Sequence, residues 1–158
     1  MSNIDAAAER LAEGAAAPGF ELPSQVGDTP IHLSDFRGKQ NVVLYFYPKD
    51  DTSGCTKEAC AFRDRMADYE QAGIKVYGVS LDSTESHRRF REKYNLNFPL
   101  LTDEGGRAAA ALGVLRENGE RANRVTFLLD PDAKVAKVYP EVSPETHADE
   151  ILEDAASL

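Results

Sequence analysis

Apolar positions along the chain fall into short blocks separated by polar stretches of helical spacing, the alternation of an α/β domain. Asn41 to Tyr47 is a β-branched and aromatic run between Lys39 and Pro48, apolar at nearly every position, which predicts a central strand covered on both faces. Thr56 to Ala72 has the spacing of a helix and stops at Gly73, a residue suited to a left-handed cap. The loop Pro48 to Cys55 then joins strand to helix. Lys75 to Leu81 predicts a second strand, followed by a helix opening near Ser83, with Ser83 and Ser86 available as caps and Arg88 to Lys93 as a solvated face. Phe98 to Leu101 adds a short strand and Arg107 to Leu112 a short helix. Arg124 to Leu129 and Lys134 to Tyr139 alternate around a turn at Asp130 to Ala133, and a last helix runs from about Pro144 to Ala156, with Ser143 as its cap.

Strand, helix, strand, helix, an insertion, a hairpin and a final helix make the order of a thioredoxin-like α/β fold, a mixed sheet with helices on both faces. A flavodoxin-like sheet is the alternative, and it lacks the late hairpin. Alanine-rich Ala6 to Ala17 reads as a helical or flexible arm, so residues 1–17 are set apart from a single domain over 18–158 that begins near Pro18. The chain contains no internal repeat.

Composition narrows the function. At 158 residues, 42% hydrophobic and 28% charged, the chain resembles an ordinary water-soluble domain. Its longest apolar runs, Val42 to Tyr47 and Val125 to Leu129, are far shorter than the roughly 20 residues of a spanning helix. The N-terminal segment has neither a positive leader nor an apolar stretch, so the expected location is cytoplasmic. A formal net charge of -9, with bases interspersed among acids, makes nucleic acid an unsuitable partner. Two cysteines are too few for a disulfide scaffold, and in a reducing compartment such a pair signals redox chemistry, metal binding or simply two inert thiols.

The surroundings of Cys55 decide among these. It lies after the central strand at the first turn of the helix, where free N–H groups and the helix dipole stabilise an anion. Thr52, three residues earlier, can bring a hydroxyl beside the sulfur, donating to the thiolate or to an incoming oxygen. Pro48 stiffens the loop and screens it from water.

Tyr45, Phe46, Tyr47, Pro48, then Thr52, then Cys55 resembles the active-site signature of the peroxiredoxins. The continuation Gly54, Cys55, Thr56, Lys57, Glu58, Ala59, Cys60, followed by Phe62, Arg63 and Asp64, is similar to the PrxQ branch, also called bacterioferritin comigratory protein. The likeness runs from about Gly14 to the last helix and includes Phe20 to Leu22, Leu33 to Gly38, Phe98 to Asp103 and Arg124 to Asp130. It implies that Cys55 is the peroxidatic nucleophile, Cys60 the resolving cysteine, and Arg124 a guanidinium holding thiolate and peroxide oxygens. It further implies attack on a hydroperoxide, a Cys55 sulfenic acid, a Cys55–Cys60 disulfide, reduction by thioredoxin, no cofactor and a monomer. Ser53 stands where the branch often has proline, which would loosen the active-site loop, and Ala133 replaces a common turn glycine.

On an ideal helix, residues five apart differ by roughly 140° and about 7.5 Å of rise, a Cα separation near 8.6 Å. A disulfide tolerates less than about 7 Å, so oxidation is expected to unwind the first turn or two of the Cys55 helix.

The remaining polar residues point elsewhere. His32, His87 and His147 lack the spacing of a metal site and are assigned structural or surface roles. Asp50 and Asp51 are read as a solvated turn rather than a cation site, Gly105 and Gly106 as a turn, and Phe46 and Tyr47 as core and pocket wall. Two rival functions remain at this point. One is a disulfide reductase of the same fold, although such enzymes separate their cysteines by two residues and carry a proline where Asn123, Arg124 and Val125 stand here. The other is a redox sensor or holdase in which oxidation of Cys55 switches a binding surface.

Overall fold

The computed structural model describes Arg10, residues 12–16, two short strands at 21–22 and 31–32, and residues 40–157. Most of the expected N-terminal arm, the boundary at Pro18, the stretch Leu33 to Gly38 and the His32 side chain lie outside the described residues. The small strands β1 (Glu21–Leu22) and β2 (Ile31–His32) pair antiparallel. The Gly14 N–H donates to Val135 O and the Val135 N–H to Ala15 O, both at 2.8 Å, so this part of the arm is tied to the last strand of the main sheet.

That sheet is built on β3 (Asn41–Phe46), the apolar run anticipated as a central strand. It is flanked by β4 (Ile74–Ser80), β5 (Leu100–Thr102), β6 (Val125–Leu129) and β7 (Val135–Tyr139) in the order β5-β4-β3-β6-β7. Strands β3, β4 and β5 are mutually parallel, whereas β6 is antiparallel to both β3 and β7. The β6–β7 hairpin excludes the flavodoxin-like alternative and completes the thioredoxin-like arrangement. Side chains of β3 alternate between two cores, as a strand covered on both faces requires. Val43 and Tyr45, with Tyr47 just past the strand, enter one with Phe62, Tyr69 and Ile151; Val42, Leu44 and Phe46 enter the other with Leu112 and Phe127. Gly78 of β4 is a glycine for a local reason: a Cβ there would lie 2.8 Å from the Tyr45 hydroxyl and 2.9 Å from Leu100.

The first expected helix is two. Helix α1 (Ser53–Asp64) and helix α2 (Met66–Gln71) are separated at Arg65, whose φ of -107° and ψ of 5° leave the helical region. The offset lets both Met66 and Tyr69 face the core, where the Tyr69 hydroxyl donates to Ala148 O at 2.7 Å. Gly73 follows with φ +73°, as its place after the helix predicts. Helix α3 (Thr84–Tyr94) is capped by Ser83, whose hydroxyl accepts from the Ser86 N–H. Gly105 and Gly106 form a one-turn 3₁₀ segment, with positive φ at both, leading into α4 (Arg107–Ala111). Helix α5 (His147–Ala156) starts three residues later than Ser143 and Pro144 suggest. The Ser143 carbonyl instead accepts from the N–H groups of Thr146 and His147, so the serine and proline make a turn before the helix.

Candidate active site

The loop from β3 to α1 carries the candidate residues. Thr52 is the N-cap of α1 and its carbonyl accepts from the Thr56 N–H at 2.8 Å, closing the first turn. Cys55 thus falls at the third helical position, among N–H groups that the helix ladder cannot satisfy. Ser53 occupies the first helical position, where the helix forms without a proline. The Thr52 hydroxyl donates to the Lys49 carbonyl at 2.8 Å. With its proton on that carbonyl, the oxygen keeps its lone pairs free to accept. Pro48, half-buried, stands at the start of the same loop.

Arg124 comes from the opposite direction, immediately before β6, and reaches the helix. Its Nη2 donates to Cys55 Sγ at 3.2 Å while Nη1 donates to Glu58 Oε1 at 2.7 Å. One planar fork therefore engages both groups, a geometry that lysine cannot reproduce. Cys55 is 1% exposed and Glu58 wholly buried. Burial works against the Arg124 charge, but the neighbouring Glu58 and Cys55 more than offset it and hold the guanidinium protonated. For Glu58 burial dominates: desolvation raises its carboxyl to about 7 in spite of Arg124.

Two contributors escaped the sequence reading. Glu58 lies one turn from Cys55 on the inward stripe Cys55, Glu58, Ala59, Phe62. A carboxylate on an otherwise apolar face was a legible signal. Gly54 has a quieter role, because a Cβ there would lie 2.9 Å from Arg124 Nη2 and 3.9 Å from Pro144 Cγ.

The structure also corrects the reading of Asp50. It is 7% exposed, not solvated, and accepts from the Tyr47 hydroxyl at 2.6 Å and the Ser86 hydroxyl at 2.8 Å. His87 Nδ1 is 2.7 Å from the same carboxylate and its Nε2 3.0 Å from the Leu101 carbonyl. The Asp50 N–H donates to Asp82, which also receives the Ser80 hydroxyl. Ligand atoms of Asp50, Asp82 and His87 lie within 4.8 Å of one another, close enough to surround a cation. They are already engaged by hydrogen bonds, so the cluster is a brace that fastens the active-site loop to β4 and α3. Asp51, by contrast, is exposed and pairs with Lys93 and the Tyr94 hydroxyl, as a surface turn should.

Cys60 lies on α1, less buried than Cys55, and both thiols are free. His147 is buried and structural, packed edge-on against Phe62 and bonded to Thr126 Oγ1 at 2.8 Å.

A cysteine sulfur backed by a guanidinium and seated at a helix start is the arrangement that thiol-dependent redox chemistry uses. That arrangement puts the protein among the thiol-dependent oxidoreductases of thioredoxin-like fold. The sequence profile of the AhpC/TSA family matches residues 14–138. Chloroplastic peroxiredoxin Q of Sedum lineare is 45% identical over 151 residues, covering 94% of this chain and 80% of the relative. A bcp peroxiredoxin of Coxiella burnetii is 41% identical, covering 88% of this chain and 95% of the relative. Among solved structures, peroxidoxin BcpB from Mycobacterium tuberculosis superposes with a TM-score of 0.87 at 38% identity, over 94% of this chain and 99% of the other. A bacterioferritin comigratory protein of Xanthomonas campestris, described for alkyl peroxide reduction, superposes with a TM-score of 0.82 at 32% identity, over 99% and 98% of the two chains. The chain belongs to the AhpC/TSA family of peroxiredoxins, enzymes that reduce hydroperoxides through a cysteine thiol.

Proposed function

We propose that Cys55 is the peroxidatic nucleophile of this peroxidase, Cys60 its resolving partner, and thioredoxin the reductant that recycles it in the cytoplasm, the protein acting as a monomer. The observation that carries the assignment is the 3.2 Å contact from Arg124 Nη2 to Cys55 Sγ in the first turn of α1. The Cys55 thiolate attacks the terminal peroxide oxygen in line with the O–O bond, and the electron pair of that bond leaves on the second oxygen. Arg124 and the N–H groups at the helix start stabilise the departing charge, which takes a proton and leaves as water or alcohol. Thr52, its own proton held by Lys49 O, accepts from the peroxide hydroxyl and Pro48 limits water at the loop.

Cys55 is then a sulfenic acid. The Cys60 thiolate attacks its sulfur, hydroxide leaves as water after protonation, and a Cys55–Cys60 disulfide remains for an external dithiol to open. Both cysteines sit on one continuous helix, where an ideal geometry puts their Cα atoms about 8.6 Å apart, so α1 must unwind before the sulfurs meet.

The test is to add one equivalent of hydrogen peroxide to the reduced protein, alkylate the remaining thiols and read masses. Wild type is expected to lose both thiols, Cys60→Ser to stop at a sulfenic acid, and Cys55→Ser to show no fast reaction. Equal reactivity of the two variants would overturn the roles, and turnover with thioredoxin but not with other dithiols would identify the reductant.

A further inference from the structure

One guanidinium serves two acids in this site. Cys55 and Glu58 are a single helical turn apart, both buried, and each takes one arm of the Arg124 fork, at 3.2 Å and 2.7 Å. The second carboxyl oxygen of Glu58 is buried without a hydrogen-bond partner among the described residues. Among the described residues, groups facing this pair from other elements offer no second cation. Tyr45 of β3 is a phenol whose own ionisation is opposed first by burial and then by Glu58 and Cys55. His147 of α5 is kept neutral chiefly by burial, with Glu150 drawing the other way and the Arg124 charge adding to the opposition. A thiolate and a carboxylate held together here would leave one negative charge uncompensated in a dry site, which is costly.

We propose that Cys55 and Glu58 share one proton across Arg124, Glu58 being the positioning residue that holds it while the sulfur is ionised. Protonation of Glu58 frees the whole Arg124 charge for the sulfur; ionisation of Glu58 withdraws part of it. The chemistry balances over the peroxide step. Transfer from the Cys55 thiol to the Glu58 carboxylate gives the thiolate and a neutral carboxylic acid. Thiolate attack forms the S–O bond and breaks O–O, the sulfur is oxidised, and the leaving alkoxide or hydroxide carries the negative charge away. Glu58, no longer opposed by a thiolate, gives up one proton as the leaving oxygen takes one up, and the carboxylate returns to Arg124. The upward displacement of the Glu58 carboxyl to about 7 by burial agrees with a proton resident there near neutrality.

The proposal rests on Cys55 being the nucleophile, and the experiment keeps the two apart because it needs no peroxide. The infrared C=O stretch of protonated carboxyls is followed in the reduced, full-length protein from about pH 5 to about pH 8, in wild type, Glu58→Gln and Cys55→Ser. Wild type is expected to show a band that titrates near neutrality and is missing from Glu58→Gln. In Cys55→Ser, which removes the competing anion and keeps the shape, that band should titrate about one pH unit lower or more. A band unmoved by Cys55→Ser, or a wild-type carboxyl already ionised throughout the range, overturns the proposal. Fast peroxide consumption by Cys55→Ser would instead overturn the assignment of the nucleophile and leave the infrared result to stand by itself.

Discussion

Gly54 makes room for Arg124: a Cβ at position 54 would lie 2.9 Å from Nη2, closer than a side-chain carbon can sit without something shifting. The neighbour that would have to move is the tip of a flexible side chain, so Gly54→Ala is expected to cost little stability while displacing the guanidinium from Cys55. Because small misplacements at a reacting centre are expensive, the rate constant with hydrogen peroxide should fall roughly 10- to 100-fold at a nearly unchanged melting temperature. Stopped-flow oxidation beside a thermal melt checks both halves, and an unaltered rate would mean that Arg124 does not act on the sulfur.

Glu58 makes stability depend on pH. Its carboxyl titrates at about 7 in the folded protein against an ordinary 4.5. Between those values the native state keeps a proton that the unfolded chain has lost, so this group's contribution declines as pH rises from about 4.5 to about 7 and is then level. Glu58→Gln should abolish that decline. Below about 6.5 the neutral, buried His147 acts in the opposite sense, so denaturant unfolding is compared between wild type and variant at each pH rather than read from one curve.

The hydroxyl of Tyr45 is buried with no partner among the described residues, although its ring stacks on Phe62 at 4.7 Å. Tyr45→Phe keeps the ring and removes the unsatisfied group, which should raise stability by about 1 kcal/mol, a few degrees in a melt for a chain of this size. A lower melting temperature would show that the hydroxyl is bonded after all.

Ala133 sits at φ +63° in the β6–β7 turn, closed by its own N–H to Asp130 O at 2.9 Å. A side chain in that region costs roughly 1–2 kcal/mol, against which glycine loses somewhat more chain entropy on folding. Ala133→Gly is expected to gain about 0.5–1 kcal/mol in denaturant unfolding with peroxidase activity unchanged.

Oxidation should expose α1 and leave α2 intact. Amide exchange in the oxidised protein is expected to speed up across residues 53–60 and to stay slow in α2. Beyond residue 60 the helix is held by Arg63, which donates to Tyr94 O at 2.6 Å and accepts from Asn97. Equal protection of residues 53–60 in both redox states would rule out unwinding as the route to the disulfide.

The strands were readable because their physics is local: β3 announces itself by apolar residues at nearly every position, and Gly73 by what a left-handed cap demands. The break at Arg65 was not, since Phe62, Met66 and Tyr69 keep helical spacing across it and neither glycine nor proline marks it. Ser143 and Pro144 have the local chemistry of a helix start, yet the Ser143 carbonyl makes a turn of them. The Thr52, Cys55 and Arg124 constellation was legible through resemblance. The partners of Asp50 were not, because Asp82 and His87 reach it from 32 and 37 residues away.

The break at Arg65 has a bearing on endurance. An enzyme that unwound α1 in each cycle, as proposed, would risk carrying the melt into its own interior. Here the ladder ends at Asp64 and begins afresh, with the N–H groups of Asp68 and Tyr69 bonded to Arg65 O and the Tyr69 hydroxyl anchored on Ala148. On the proposed cycle the interruption works as a firebreak: the segment to be spent and rebuilt is short, and α2 behind it keeps its own ladder and its own anchor.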